Sequence, residues 1–139
     1  MSIDPGQINY WAVLVAAVAM FTIGGLWYGL LFAKRWVEVH GFTDEQVQAM
    51  AKRQGRSFAI FFVSDLVTAV ILSLFIINLD IQNAVQGAGL GFLMWLGIVA
   101  TIGACKNAAS NKPLAAFLID TSHELAALVV IGMILGAWR

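Results

Sequence analysis

Four apolar stretches, each about as long as a bilayer-spanning helix, occupy most of this chain. They cover residues 8–32, 57–79, 87–108 and 113–138. A helix rises about 1.5 Å per residue, so about 20 residues cross a hydrocarbon layer. The helices of a soluble bundle keep a charged outer face; these runs are apolar nearly all the way round. None alternates with period two, which excludes the strand pattern of a membrane barrel. The expected fold class is therefore all-α, an integral membrane four-helix bundle in a single membrane domain.

Composition narrows the function classes. The 139 residues are 60% hydrophobic and 12% charged, against about 25% charged in a soluble domain. Zero formal net charge offers no electrostatic footprint for nucleic acid. Cys105 is the only cysteine, which excludes an internal disulfide, a CxxC redox pair and a cysteine metal cage. It reads as a small packing residue. Residues 1–7 carry no Lys or Arg, and the first apolar run is longer than a secretory signal, so it is expected to stay as a membrane helix.

Basic residues set the expected orientation. Lys34, Arg35, Lys52, Arg53 and Arg56 separate the first two runs, and Lys106 and Lys112 mark the junction of the last two. Only Arg139 lies on the other side. The first group is assigned to the cytoplasm, so both termini and the 80–86 loop are expected on the extracytoplasmic side of an inner or plasma membrane.

The connection over residues 33–56 is expected to hold a short amphipathic helix at about 44–53. Thr43-Asp44-Glu45-Gln46 reads as a capping box with Phe42 and Val47 as its hydrophobic staple, and Gly55 ends the helix. Trp36, Val47 and Met50 are expected to rest on the membrane surface. Gly25 and Gly29, Gly87 and Gly91, and Gly132 and Gly136 form GxxxG pairs that let helix backbones approach in lipid, within one bundle or between protomers. A faint repeat matches Trp27-Tyr28-Gly29 with Trp95-Leu96-Gly97, and Ser64-Asp65-Leu66 with His123-Glu124-Leu125. Such a repeat suggests two parallel hairpins related by a pseudo-two-fold along the membrane normal.

Two longer stretches carry a family resemblance. Leu26-Trp27-Tyr28-Gly29-Leu30-Leu31-Phe32-Ala33-Lys34-Arg35-Trp36, followed by Gly41-Phe42-Thr43-Asp44-Glu45, is one. The closing Gly132-Met133-Ile134-Leu135-Gly136-Ala137-Trp138 is the other. In these the sequence resembles the domain-of-unknown-function 1761 family of small bacterial membrane proteins, over nearly the whole chain. The resemblance implies a four-helix membrane protein and supplies no reaction, ligand or catalytic residue. The family pattern often has Ser-Pro after the Trp-Tyr pair and Gly before the Lys. Gly29, Leu30 and Ala33 stand there in this chain, so no proline kink is expected.

Ionisable side chains inside a bilayer are costly and each needs a reason. Asp65 in the second run, and Asp120, His123 and Glu124 in the fourth, are the candidates. At about 1.5 Å per residue, Asp65 lies about 12 Å and Asp120 about 10 Å into its helix. Lys106, Trp27 and Tyr28 fall in the same half, so every run contributes polar or aromatic groups to one level, and Trp95 shares a face of the third run with Lys106. Asp120, His123 and Glu124 share a face at i, i+3, i+4. Lys106 can neutralise one acid across the bundle, and Gly103 leaves room beside it. Three crowded carboxyls in low dielectric cannot all carry charge, so Asp120 or Glu124 is expected to hold a proton near neutral pH.

The leading functional expectation is a proton- or cation-linked transporter or channel with its acidic site in the cytoplasmic half, working as a homo-oligomer, with a dimer favoured because four short helices enclose little volume. One alternative is a structural or assembly protein whose polar residues form a packing network. Another is a membrane-embedded enzyme acting on a lipid or quinone. Trp27, Tyr28 and Trp95 are interface anchors in the plain reading and an aromatic wall for an organic cation in the sharper one. No metal and no cofactor are expected, since nitrogen ligands are limited to His123 and the loop residue His40.

Overall fold

The computed structural model describes residues 4–139, and residues 1–3, the start of the N-terminal end expected outside the cell, lie outside the described residues. Four helices are long and apolar enough to cross a membrane. They are α1 (Tyr10–Leu31), α4 (Gln54–Asn78), α5 (Ala84–Ala109) and α6 (Leu114–Ala137). Two shorter helices, α2 (Ala33–His40) and α3 (Asp44–Lys52), connect α1 to α4. The described residues contain no strand.

Local chemistry fixes the helix starts. The Asn9 side chain accepts from Ala12 N–H at 3.1 Å to open α1, and the Asn83 side chain accepts from Gln86 N–H at 3.0 Å to open α5. Pro113 precedes α6, where its missing N–H costs nothing. Thr43 and Gln46 form the reciprocal capping box of α3.

The connection holds two helices where sequence led us to expect one. Helix α2 ends on Gly41 in the left-handed region at φ 68°, and Phe42 N–H bonds back to the Val37 carbonyl at 3.2 Å. This is the glycine-terminated closure that lets a helix stop and the chain turn at once. The turn throws α3 onto a new axis.

Small side chains bring the spans together. Ala12, Ala16 and Ala17 of α1 and Ala69 of α4 are fully buried, and they pack with Leu72, Ile76, Leu128, Ile131 and Leu135 in the main core. Helix α5 lies along α6 through glycines. A Cβ on Gly87 would collide with the Gly132 carbonyl oxygen, and one on Gly91 with the Leu128 carbonyl oxygen. Gly25 and Gly29 have open space around them, so that pair packs nothing within the chain. Cys105 is exposed on α5 and not packed as sequence suggested. Beside the 80–86 loop, Arg139 reaches Gln82 Oε1 at 2.7 Å and Asp80 at 3.4 Å.

Both α1 and α5 are locally widened. A π-helical stretch covers Trp27–Leu31 and another covers Trp95–Ala100. They begin at Trp27 and Trp95, and in each a residue is inserted in the helical ladder.

Candidate functional site

A second, smaller core lies at the end of the bundle that carries α2. Val39, Ala116 and Ile119 are buried there, against Trp27, Tyr28, Phe32 and Trp36. This apolar contact docks α2 on the first half of α6 and sets its polar face beside Asp120.

Asp120 is the hub of a polar network. Its Oδ1 accepts from the Tyr28 hydroxyl at 2.9 Å and from Trp36 Nε1–H at 3.0 Å. Its Oδ2 lies 3.1 Å from His40 Nε2. The other ring nitrogen, Nδ1, faces the Trp36 carbonyl at 3.0 Å. The His40 side chain is only 7% exposed, and Phe42 stacks on it with ring centroids 5.6 Å apart. One carboxylate thus joins α1, α2 and α6.

The tryptophans hold the same turn of α6 by its backbone. Trp27 Nε1–H donates to the Ile119 carbonyl at 3.1 Å, and Trp95 Nε1–H donates to the Thr121 carbonyl at 2.7 Å. Asp120 sits between these two carbonyls in sequence. Each π-helical stretch therefore starts at a side chain anchored to α6.

Glu124 lies one turn beyond Asp120 and differs from it. Among the described residues it has no hydrogen bond and no ion pair within 4 Å, and Lys106 and Asp120 are the charges within its electrostatic reach. A cavity of about 220 Å³ is lined by Glu124, Asp120 and Thr121 of α6, Gly103, Lys106 and Asn107 of α5, and His40. Lys112 also lines it. The directions of the side chains explain the encounter. A helical Cα–Cβ bond tilts toward the helix N-terminus. Helix α6 starts at this end of the bundle and α5 finishes here, so Glu124 leans out toward Lys106 while Lys106 leans in.

The other candidates lie apart. His123 turns toward α1, with its ring 5.0 Å from Tyr28 and 6.4 Å from Trp27. Its Nε2 is buried without a hydrogen-bond partner, against Gly24. Asp65 is half-buried on α4 and makes no hydrogen bond or ion pair to the described residues. Helix α4 contributes nothing to the cavity lining. No group of three or more His, Cys, Asp or Glu among the described residues could hold a metal ion.

A family model with the description Protein of unknown function (DUF1761) matches residues 11–136. The chain belongs to this family. No curated protein and no solved structure matches it. The DUF1761 match spans every element of the site, from Trp27 to Glu124.

Sequence reasoning missed Trp36 and His40 in this DUF1761 chain. It left Trp36 on the membrane surface and His40 in a loop, and both turn inward onto Asp120. A signal was present. Trp36 and His40 are one turn apart, on one face of a segment that Gly41 closes.

Proposed function

We propose that the protein is a proton- or cation-linked transporter whose binding carboxyl is Glu124. One observation carries the reading: Glu124, on a membrane-spanning helix, lines a cavity and has no hydrogen-bond or ion-pair partner among the described residues. Intramembrane acids left open to a cavity mark ion pathways. Asp120, held by the Tyr28 hydroxyl and the Trp36 indole N–H and 3.1 Å from His40 Nε2, serves as the post that keeps α2 in the cavity wall. Beyond Glu124, toward the other face, Ala16, Ala17, Ala69, Leu128 and Ile131 are packed shut, so passage requires the helices to rearrange. The π-helical stretches of α1 and α5, at the level of the site, are the natural places for that bending. The cavity opens to the cytoplasm in this reading, since the basic residues gather at that end. The working unit is a homodimer in the lipid bilayer.

A second reading is favoured by the saturation of Asp120. Its contacts to Tyr28, Trp36 and His40 are what a structural network needs, and the polar residues then serve packing alone.

Reconstitution in liposomes separates the two. Proton and alkali-cation flux across an imposed pH gradient would be measured for wild type, Glu124→Gln and Asp65→Asn. Transport predicts flux that Glu124→Gln abolishes with the melting temperature retained, and that Asp65→Asn leaves in place. Equal flux in wild type and Glu124→Gln, or none in either, removes the transport reading.

A further inference from the structure

Lys106 and Glu124 face the same cavity and do not close an ion pair: no N–O distance between them is 4 Å or less. Opposite charges in a poorly polar site attract strongly. That these two stay apart, although each leans toward the other, leaves a gap between the Glu124 carboxyl and the Lys106 ammonium, with the Asp120 carboxyl, already held by Tyr28 and Trp36, also in the lining. Lys112 is a second basic residue in the lining. Asn107 holds its backbone, its main-chain carbonyl accepting from Lys112 N–H at 3.2 Å and its Nδ2 donating to the Lys112 carbonyl at 3.1 Å. Ser110 also lines the cavity. Phe117 and Gly103 form an apolar side, where a Cβ on Gly103 would stand 3.4 Å from the Phe117 ring.

We propose that this cavity binds a small zwitterion, a primary amine joined by a short carbon link to a phosphate. The amine sits on Glu124, and the phosphate on Lys106 and Lys112. The link passes Phe117 and Gly103. Two ammonium groups with a hydroxyl beside them suit the several acceptor oxygens and higher charge of a phosphate better than a carboxylate. The volume of about 220 Å³ equals about seven waters at about 30 Å³ each, room for a molecule of that size. Phosphoethanolamine has this chemistry, either free or as the headgroup of a phospholipid whose acyl chains stay in the surrounding bilayer. The inference rests on the reading of Glu124 as the binding carboxyl and names what it binds.

The test is titration of the purified full chain, in phosphatidylcholine nanodiscs, with phosphoethanolamine, ethanolamine and inorganic phosphate, followed calorimetrically. Phosphoethanolamine is expected to bind at least about tenfold more tightly than either half, which corresponds to about 1.4 kcal/mol. Glu124→Gln should erase its advantage over inorganic phosphate, and Lys106→Gln its advantage over ethanolamine. Gly103→Leu, which fills the cavity without changing charge, should abolish binding, and Lys52→Gln on α3 should change nothing. Melting temperatures of each variant identify any that fails to fold. In phosphatidylethanolamine nanodiscs, weaker apparent binding of the soluble probe identifies a lipid source, and unchanged binding identifies a free one. Phosphoethanolamine binding no tighter than phosphate, or undiminished in Lys106→Gln, overturns the inference. Ion flux sensitive to Glu124→Gln without phosphoethanolamine binding sinks this inference and leaves the transport reading; binding without flux does the reverse.

Discussion

His40 and Asp120 are 80 residues apart in sequence, yet Nε2 of one lies 3.1 Å from Oδ2 of the other. The pair fastens the helix after the first span to the last span, and it closes one wall of the cavity. Because Tyr28 and Trp36 share the same carboxylate, the contact behaves as a unit.

Removing the carboxylate should therefore destabilise the whole unit. Asp120→Ala leaves the Tyr28 and Trp36 donors facing no acceptor and removes the His40 contact, and a donor left unmade in a desolvated site costs up to about 1–3 kcal/mol. Asp120→Asn keeps one acceptor oxygen and the shape. Thermal unfolding in detergent should show Asp120→Ala clearly below Asp120→Asn, with both below wild type. In a double-mutant cycle, His40→Ala and Asp120→Ala should couple by about 0.5–3 kcal/mol, as residues of one network do. Additive losses would mean that the two side chains act independently.

The glycine seams give a contrast of sign. A Cβ at Gly132 would run into the backbone carbonyl of Gly87. Gly132→Ala therefore forces α5 and α6 apart, and overpacking of this kind costs about 1–3 kcal/mol. Gly25 and Gly29 have nothing within 4 Å of such a Cβ. Gly25→Ala should be neutral or should raise the melting temperature, since alanine gains up to about 1 kcal/mol over glycine inside a helix. Equal losses at both positions would show that Gly25 is also in a packed interface, which a second copy of the chain would supply.

Orientation is tested by labelling. Single cysteines at Gln82 and Gln48 would be introduced after Cys105→Ser, because Cys105 is itself exposed. An impermeant thiol reagent applied to intact cells should modify the residue at 82 and spare the one at 48. The reverse pattern would invert the bundle and place the cavity mouth outside.

The membrane character of the fold was legible because hydropathy and length depend on composition along one dimension. The α3 cap was legible for a related reason, since Thr43 and Gln46 act over three residues. The glycine spacing identified the α5–α6 seam but could not tell it from the open Gly25–Gly29 pair, because spacing alone does not say which faces meet. Sequence reasoning expected the candidate residues at one level of the bundle. Asp120, Glu124, Lys106 and the three aromatic residues do gather near one end. His123 shares the helix of the two acids but turns toward Tyr28, and Asp65 stays outside. What sequence hid was α2: Trp36 and His40 come after a basic pair, which suggested a surface connector. Their inward turn depends on the Gly41 closure and on Val39 finding Ala116 and Ile119 across the bundle.

Asp65 is expected to be replaceable at a gain in stability. Its carboxyl is half-buried in α4, one turn before Ala69 in the main core, and takes no bond from any described residue. An aspartate near the centre of a membrane helix carries an insertion cost of about 2.5–3.5 kcal/mol. Asp65→Leu removes that cost and adds apolar contact beside Phe62 and Leu66, which already pack on the core. The variant should melt at a higher temperature than wild type and retain whatever flux the wild type shows. Asp65→Asn should fall between the two, since the amide is uncharged but still polar. If Asp65→Leu instead lost flux while gaining stability, Asp65 would belong to the ion path, and the open state of the bundle would have to bring α4 to the cavity. A loss of stability would mean that the carboxyl has a partner in the assembled membrane form, which crosslinking of a cysteine at 65 to a second copy would reveal.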